Sequence, residues 1–290
     1  MTNPILYHYT SQKGLLGIIE NKKLWATSIL YMNDSKELIY ALELTNDILS
    51  QRINTERTEG RVFLKQIQNA LSKIPEISTN SIFVCSFSEV SDLLSQWRGY
   101  CSNGNGFSIG FEIPDFIPSI FSIQGFFLHK CVYDVAQQRQ LLNSFFDEFI
   151  TRYIERKKGN LNIDLSTFYS MTLMNYVNLA AEIKHPSFQE EKEWRLISLP
   201  IIFNDTRIKY RQGRISIIPY VEISLIGEEK EMSLPEIWIW PHNQLTINSL
   251  EGLLITNHIN GNSKSTHINN NGKEILIPAI KTSSIPYRIY

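Results

Sequence analysis

Polar and apolar positions alternate at the start of the chain, change to helical spacing, and alternate again. Ile5-Leu6-Tyr7-His8-Tyr9 alternates and ends at the hydroxyl pair Thr10-Ser11, which predicts a strand running into a helix cap. Leu15, Leu16, Ile18 and Ile19 then recur at helical spacing between Gln12 and Asn21, and Leu24-Trp25-Ala26-Thr27-Ser28 reads as a second strand. The polar turn Asn33-Asp34-Ser35 opens a helix carrying Leu38, Ile39, Leu42 and Leu44, and a further helix is expected from Gly60 to Ile74 after a polar connector, Arg52 to Glu59. Ser81 to Phe87 is the clearest strand signal in the middle of the chain. It leads into a helical turn from Asp92 to Tyr100, a turn-rich loop from Ser102 to Gly106 and a strand from Phe107 to Phe111.

Further along, the pattern predicts a helix from Tyr133 to about Lys157, with Leu141, Leu142, Phe145, Phe146 and Phe149 on one side. A second is expected from Asn175 to Lys184, stopped by His185-Pro186. Short strands are expected around Arg214 to Ile218, Tyr220 to Leu225, Pro235 to Trp240 and Glu274 to Ile277. The Asn-rich run from Asn257 to Asn271 reads as a loop or hairpin. Strands outnumber helices after residue 80, so the pattern predicts an α+β fold with a mainly antiparallel or mixed sheet. Nothing demands a domain boundary, which predicts one domain over 1–290 with helical insertions near 35–75 and 133–184.

Composition narrows the classes. Lys plus Arg at 28 against Asp plus Glu at 29 leaves a formal charge of -1, so no global field advertises nucleic acid or anionic membrane. Cys85, Cys101 and Cys131 form no CxxC pair and the histidines are scattered, which argues against a disulfide scaffold and against a metal site. Residues 1–5 lack a basic n-region, and no apolar run is long enough to span a bilayer. The expectation is a cytoplasmic protein with no membrane partner.

The densest chemistry lies in Phe188 to Ile197. If this stretch is a strand, Glu191, Glu193 and Arg195 share one face, and Lys192, Trp194 and Leu196 the other. Two carboxylates and a guanidinium so arranged make either an exposed row of paired charges or a reaction centre where a carboxylate steadies a developing cation. His8 at the end of the first strand, and Thr27 and Ser28 at the end of the second, are surface or capping groups unless the two ends are neighbours in one sheet. Trp97 and Tyr100 stand where aromatics serve either the core or a planar ligand. Arg207, Lys209, Arg211 and Arg214 make a basic cluster suited to phosphates or to a solvated loop. No Gly-x-Gly-x-x-Gly, Walker lysine, Gly-x-Ser-x-Gly or His-Glu-x-x-His motif occurs, which disfavours dinucleotide dehydrogenases, P-loop enzymes, serine hydrolases and zinc proteases.

Several blocks in order carry a resemblance: Leu6 to Thr10, Leu24 to Ser28 with Met32-Asn33-Asp34 and Glu37, and Cys85 to Ser88. They continue with Gln96 to Tyr100, Gly106 to Phe111, Phe188 to Leu196, Ile218-Pro219-Tyr220 and Ile285 to Arg288. The chain thereby resembles a bacterial family of unknown function grouped with the ADP-ribosyltransferase superfamily, which has toxin-like and abortive-infection members. The resemblance implies a split, mixed or antiparallel sheet flanked by helices, gripping NAD as substrate without a metal. It implies Glu193 as the catalytic carboxylate and Glu191 as its assistant. His8, with Thr10, would hold a ribose or phosphate, Thr27 and Ser28 would supply the hydroxyl block, and Tyr9 is an alternative to Tyr100 as the cofactor-binding aromatic. Trp97 or Tyr100 would stack nicotinamide, and Arg195 would hold Glu193 ionised or bind a phosphate. The implied activity is NAD-dependent transfer of ADP-ribose to a protein or nucleic-acid acceptor by a toxin or anti-phage effector, with an antitoxin as a further partner. The alternatives are an NAD glycohydrolase and a non-catalytic recognition module on the same fold.

Overall fold

A computed structural model describes residues 4–32, 35–72, 80–101, 105–112, 121–159, 163–213, 215–226, 232–240, 244–261, 266–268 and 274–286. Asn33, Asp34, Ser102 to Gly104, Arg214, Tyr287, Arg288 and much of the Asn-rich run lie outside the described residues.

The chain is α+β and built on one ten-stranded sheet. Its strands are β1 (Ile5–Ser11), β2 (Lys23–Ser28), β3 (Phe83–Ser88), β4 (Gly106–Glu112), β5 (Phe126–Lys130), β6 (Glu193–Ser198), β7 (Ile208–Gln212), β8 (Ile217–Ser224), β9 (Glu236–Trp240) and β10 (Ala279–Thr282). The order is β10-β9-β4-β1-β3-β2-β8-β7, with β6 also on β3 and β5 on β6. Only β9 and β10 run parallel, so the sheet is mixed, mostly antiparallel and open.

The topology around β3 positions the candidate site. β6 covers one edge of β3 from Val84 to Ser88. Both β1, through Tyr7 opposite Ser88, and β2, through Thr27 opposite Val84 and Ser28 opposite Phe83, must therefore use the other edge. They meet β3 at opposite ends, and no described strand fills that edge between them. The sheet forks there.

Two layers cover the sheet. On one face α1 (Gln12–Asn21) buries Leu15, Ile18 and Ile19 against Leu6, Leu24, Ala26, Cys85, Phe87 and Leu196. Ser11 caps α1, its hydroxyl accepting from Gly14 N at 3.2 Å. The helical layer comprises α2 (Ser35–Thr55), α3 (Thr58–Leu71), α5 (Val135–Lys157) and α6 (Leu165–Ala180), while α4 (Leu94–Tyr100) and α7 (Gln244–Thr256) lie apart in sequence. Phe63, Leu64 and Ile67 of α3 meet Leu142, Phe146 and Phe149 of α5 and Phe168 and Tyr176 of α6 in a second core. Spacings of three and four within α3 and α5, and of eight between Phe168 and Tyr176, put them on one stripe of each helix, and burying each ring contributes about 1.5–3 kcal/mol.

Several boundaries differ from the sequence reading. α6 begins ten residues before the expected Asn175, because Asp164 caps it by accepting from Thr167 N at 2.9 Å. The strands expected on either side of Pro219 are one strand, β8, with Pro219 opposite Tyr210. The basic run expected as a loop is edge strand β7, and α7 and β5 carry no periodicity that singles them out.

Candidate functional site

Strand β6 begins at Glu193, and this corrects the expectation that Glu191 shares its face. Glu191 closes a 3₁₀ turn, Pro186–Glu191, and Lys192 turns the chain in the left-handed region at φ 42° before the strand starts. What joins the two carboxylates is Lys184, whose Nζ donates to Glu191 Oε2 at 2.6 Å and to Glu193 Oε2. Arg195, two residues along β6, grips Glu193 as a fork, Nε to Oε1 at 2.9 Å and NH2 to Oε2 at 3.0 Å, and its NH1 donates to Ala181 O at 2.8 Å. Lys184, Glu193 and Arg195 are all buried, Glu193 with 4% of its surface exposed.

Burial pushes the Glu193 carboxyl upward, but the charges and hydrogen bonds of Arg195 and Lys184 outweigh it and hold the group at about 2. Glu193 is thus a fixed anion. Its own N–H donates to the Tyr133 hydroxyl at 2.9 Å, which pins the start of the strand. Among the described residues Oε1 receives only the Arg195 Nε, so it keeps room for another donor.

Tyr100 joins this cluster from α4. Although 40% of the residue is exposed, its hydroxyl is the enclosed end, and burial and then the Glu193 carboxylate raise it well above the ordinary phenol range. Gly106 lets α4 pack this closely, since a Cβ there would fall 2.0 Å from Cys101 Sγ at the end of the helix.

Cross-strand pairing decides which other residues face Glu193. Glu193 stands opposite Ser88 and Arg195 opposite Ser86, while Thr27 stands opposite Val84, so alternation puts Glu193, Arg195 and Thr27 on one face. Thr27 is about 13 Å from Glu193 along β3 by strand rise. Its hydroxyl accepts from Arg211 NH2 at 3.2 Å. His8, Thr10 and Ser28 belong to the other face. The His8 ring turns to the fork, where Nδ1 lies 3.0 Å from Ser86 O and 3.8 Å from Cys85 Sγ. The Ser28 hydroxyl is buried against Ser81 Oγ at 2.6 Å.

Two aromatics belong to the core. Trp97 is fully buried, stacked 5.8 Å from Trp240, edge-on to Tyr9 at 4.8 Å, and donates Nε1 to Asp92 Oδ1 at 2.7 Å. Tyr9 donates its hydroxyl to Val90 O at 2.7 Å and accepts from Leu93 N at 3.0 Å, fixing the loop before α4. Neither ring is open to a ligand, and of the aromatics singled out in the sequence Tyr100 alone offers exposed surface beside Glu193. Lys184 and Tyr133 escaped the sequence reading because a lysine ahead of His185-Pro186 has the pattern of an ordinary helix end.

Burial holds the His8 imidazole below its ordinary value, and the bond to Ser86 O only partly opposes this. As the unfolded chain then binds the proton more readily, His8 is expected to remove stability as pH falls below about 6.5 toward its lowered folded value. Urea midpoints of the wild type and His8→Gln between pH 7.5 and 5 check this: the wild type declines more steeply, and parallel profiles would refute it.

Among the described residues no group of His, Cys, Asp and Glu is arranged to hold a metal, and no helix is long and apolar enough to cross a membrane. No curated protein and no solved structure matches the chain. Residues 96–196, which run from α4 to β6 and include Tyr100, Lys184, Glu191, Glu193 and Arg195, match a family described as a protein of unknown function (DUF2971).

Proposed function

We propose that the chain is an NAD-dependent ADP-ribosyltransferase acting on a protein or nucleic-acid acceptor, in the manner of a toxin or anti-phage effector. The observation that carries this reading is Glu193, a fixed carboxylate beside an exposed tyrosine ring at the end of β3 where the sheet forks. Breaking the bond between nicotinamide and ribose sends the electron pair to the nicotinamide and leaves positive charge on the sugar. A carboxylate already oriented by a guanidinium stabilises that charge without reorganising, and Oε1 is the atom free to accept the ribose 2′-hydroxyl. Tyr100 stacks the nicotinamide. Glu191, tied to Glu193 through Lys184, takes the proton from the acceptor as it attacks the anomeric carbon. Arg195 forks onto Glu193 and donates to Ala181 O, so its role in this reading is to hold the carboxylate. Thr27 lies on the Glu193 face and His8 reaches the fork from the opposite face, and these are the ribose and phosphate contacts of the reading.

The test is NAD binding followed by product analysis. NAD at 100 times its dissociation constant is expected to raise the unfolding free energy by about 2.7 kcal/mol. Mass spectrometry is then expected to show free nicotinamide, with the ADP-ribose mass on an acceptor from host lysate. Free ADP-ribose with no modified acceptor would make the site a glycohydrolase. Neither thermal shift nor nicotinamide would leave a recognition module.

A further inference from the structure

Beyond Thr27, which the transferase reading places at the fork, strands β2, β8 and β7 carry a surface that the transferase chemistry does not use. On β2, β8 and β7 the residues Leu24, Ala26, Val221 and Ile223 fill the core. Alternation and register put Lys23, Trp25 and Thr27, Tyr220 and Glu222, and Lys209 and Arg211 together on the opposite face. This face is open: Trp25 is 43% exposed, and its ring lies 4.5 Å from that of Tyr220 at 34°. Lys23 and Lys209 both pair with Glu222, at 2.7 and 2.9 Å. Arg211 has no carboxylate partner among the described residues. It gives one N–H to Thr27, and its Nε is enclosed without a hydrogen-bond partner. The cations therefore outnumber the single acid on a chain whose overall charge is only -1. From Arg211 an open groove of about 610 Å³ runs along the turn between β7 and β8, lined by Gln212, Gly213 and Ile217.

We propose that this face binds single-stranded nucleic acid. An exposed tryptophan on a sheet, backed by a second ring, offers a flat surface on which a base stacks. The guanidinium, one strand away from Tyr220, meets the phosphate that follows. An acidic peptide would satisfy the cations equally but has no ring system for Trp25. The binding itself stands apart from the transferase reading. Only the role of this face as the surface that presents an acceptor to Glu193 rests on that reading.

Fluorescence anisotropy with labelled single-stranded DNA and RNA oligonucleotides, measured without NAD, tests the surface alone. Phosphate contacts from Arg211, Lys23 and Lys209 predict a log K against log salt slope of about −2, and Arg211→Gln is expected to reduce it by about 0.7. Trp25→Ala is expected to weaken binding by about 5- to 150-fold, while Trp25→Phe retains most of it. Circular dichroism melts confirm that the variants fold. No binding at low salt, affinity unchanged in Trp25→Ala and Arg211→Gln, or equal binding of a polyglutamate peptide would overturn the proposal. Loss of NAD cleavage in Glu193→Gln with nucleic-acid binding intact separates this surface from the candidate active site.

Discussion

Glu193→Gln is expected to lower nicotinamide release from NAD by about 10²-fold or more, with NAD binding retained. An amide keeps the shape of the side chain but removes the charge that opposes a developing oxocarbenium ion, and electrostatic groups of this kind are worth at least that factor. The effect belongs in kcat, because the charge appears only in the transition state. The substitution also leaves Lys184 and Arg195 without one anion in a buried site. A loss of activity through unfolding is therefore separated by adding Lys184→Met, which rebalances the cluster as Arg195 against Glu191. That double variant is expected to fold more stably than Glu193→Gln alone and to remain inactive. Full NAD cleavage by a folded Glu193→Gln protein would end the transferase reading.

Strands β1, β2 and β3 lie near the expected residues: β2 alternates as a half-buried strand does, whereas β3 is buried at every residue but Ser86 and is legible as a short bounded apolar run. Strand β7 was hidden because this edge strand carries Lys209 and Arg211 on one face and an exposed Tyr210 on the other, which leaves no apolar repeat. The carboxylate strand was legible, its partners less so. Glu191 shares Glu193's parity in sequence, yet the left-handed Lys192 removes it from the strand, and no alternation rule foresees a positive φ at a lysine. The fork at β3 depends on which distant strands pair with which end, and that is fixed by long-range packing that no window of sequence contains. Trp97 shows the converse, since its place next to a glycine loop suits a ligand platform and a core equally. Contacts with Tyr9 and Trp240, far apart in sequence, settle it as core.

Arg195→Met is expected to destabilise the protein by about 3–5 kcal/mol, read as a fall in the urea midpoint at constant slope. Methionine fills much of the volume of the arginine stem, so the cost is electrical: Glu193 is left buried with Lys184 as its one cationic partner among the described residues, while Lys184 is shared with Glu191. Adding Glu193→Gln removes the surplus anion and leaves Lys184 against Glu191. The double variant is expected to recover part of the loss, a coupling that independent sites would not show. The same cluster sets an acid limit. Since the folded Glu193 is held at about 2 against an ordinary value near 4.5, its pairing contributes stability that is fully present above about pH 4.5 and disappears as pH falls toward 2. The span corresponds to about 3 kcal/mol, so the wild type loses stability steeply over that interval, whereas Arg195→Met, whose carboxyl is no longer held down as far, begins to lose it at higher pH. Coincident acid-unfolding profiles for the two proteins would show that the Arg195 fork does not hold Glu193 ionised, and the transferase chemistry would lose its fixed anion with it.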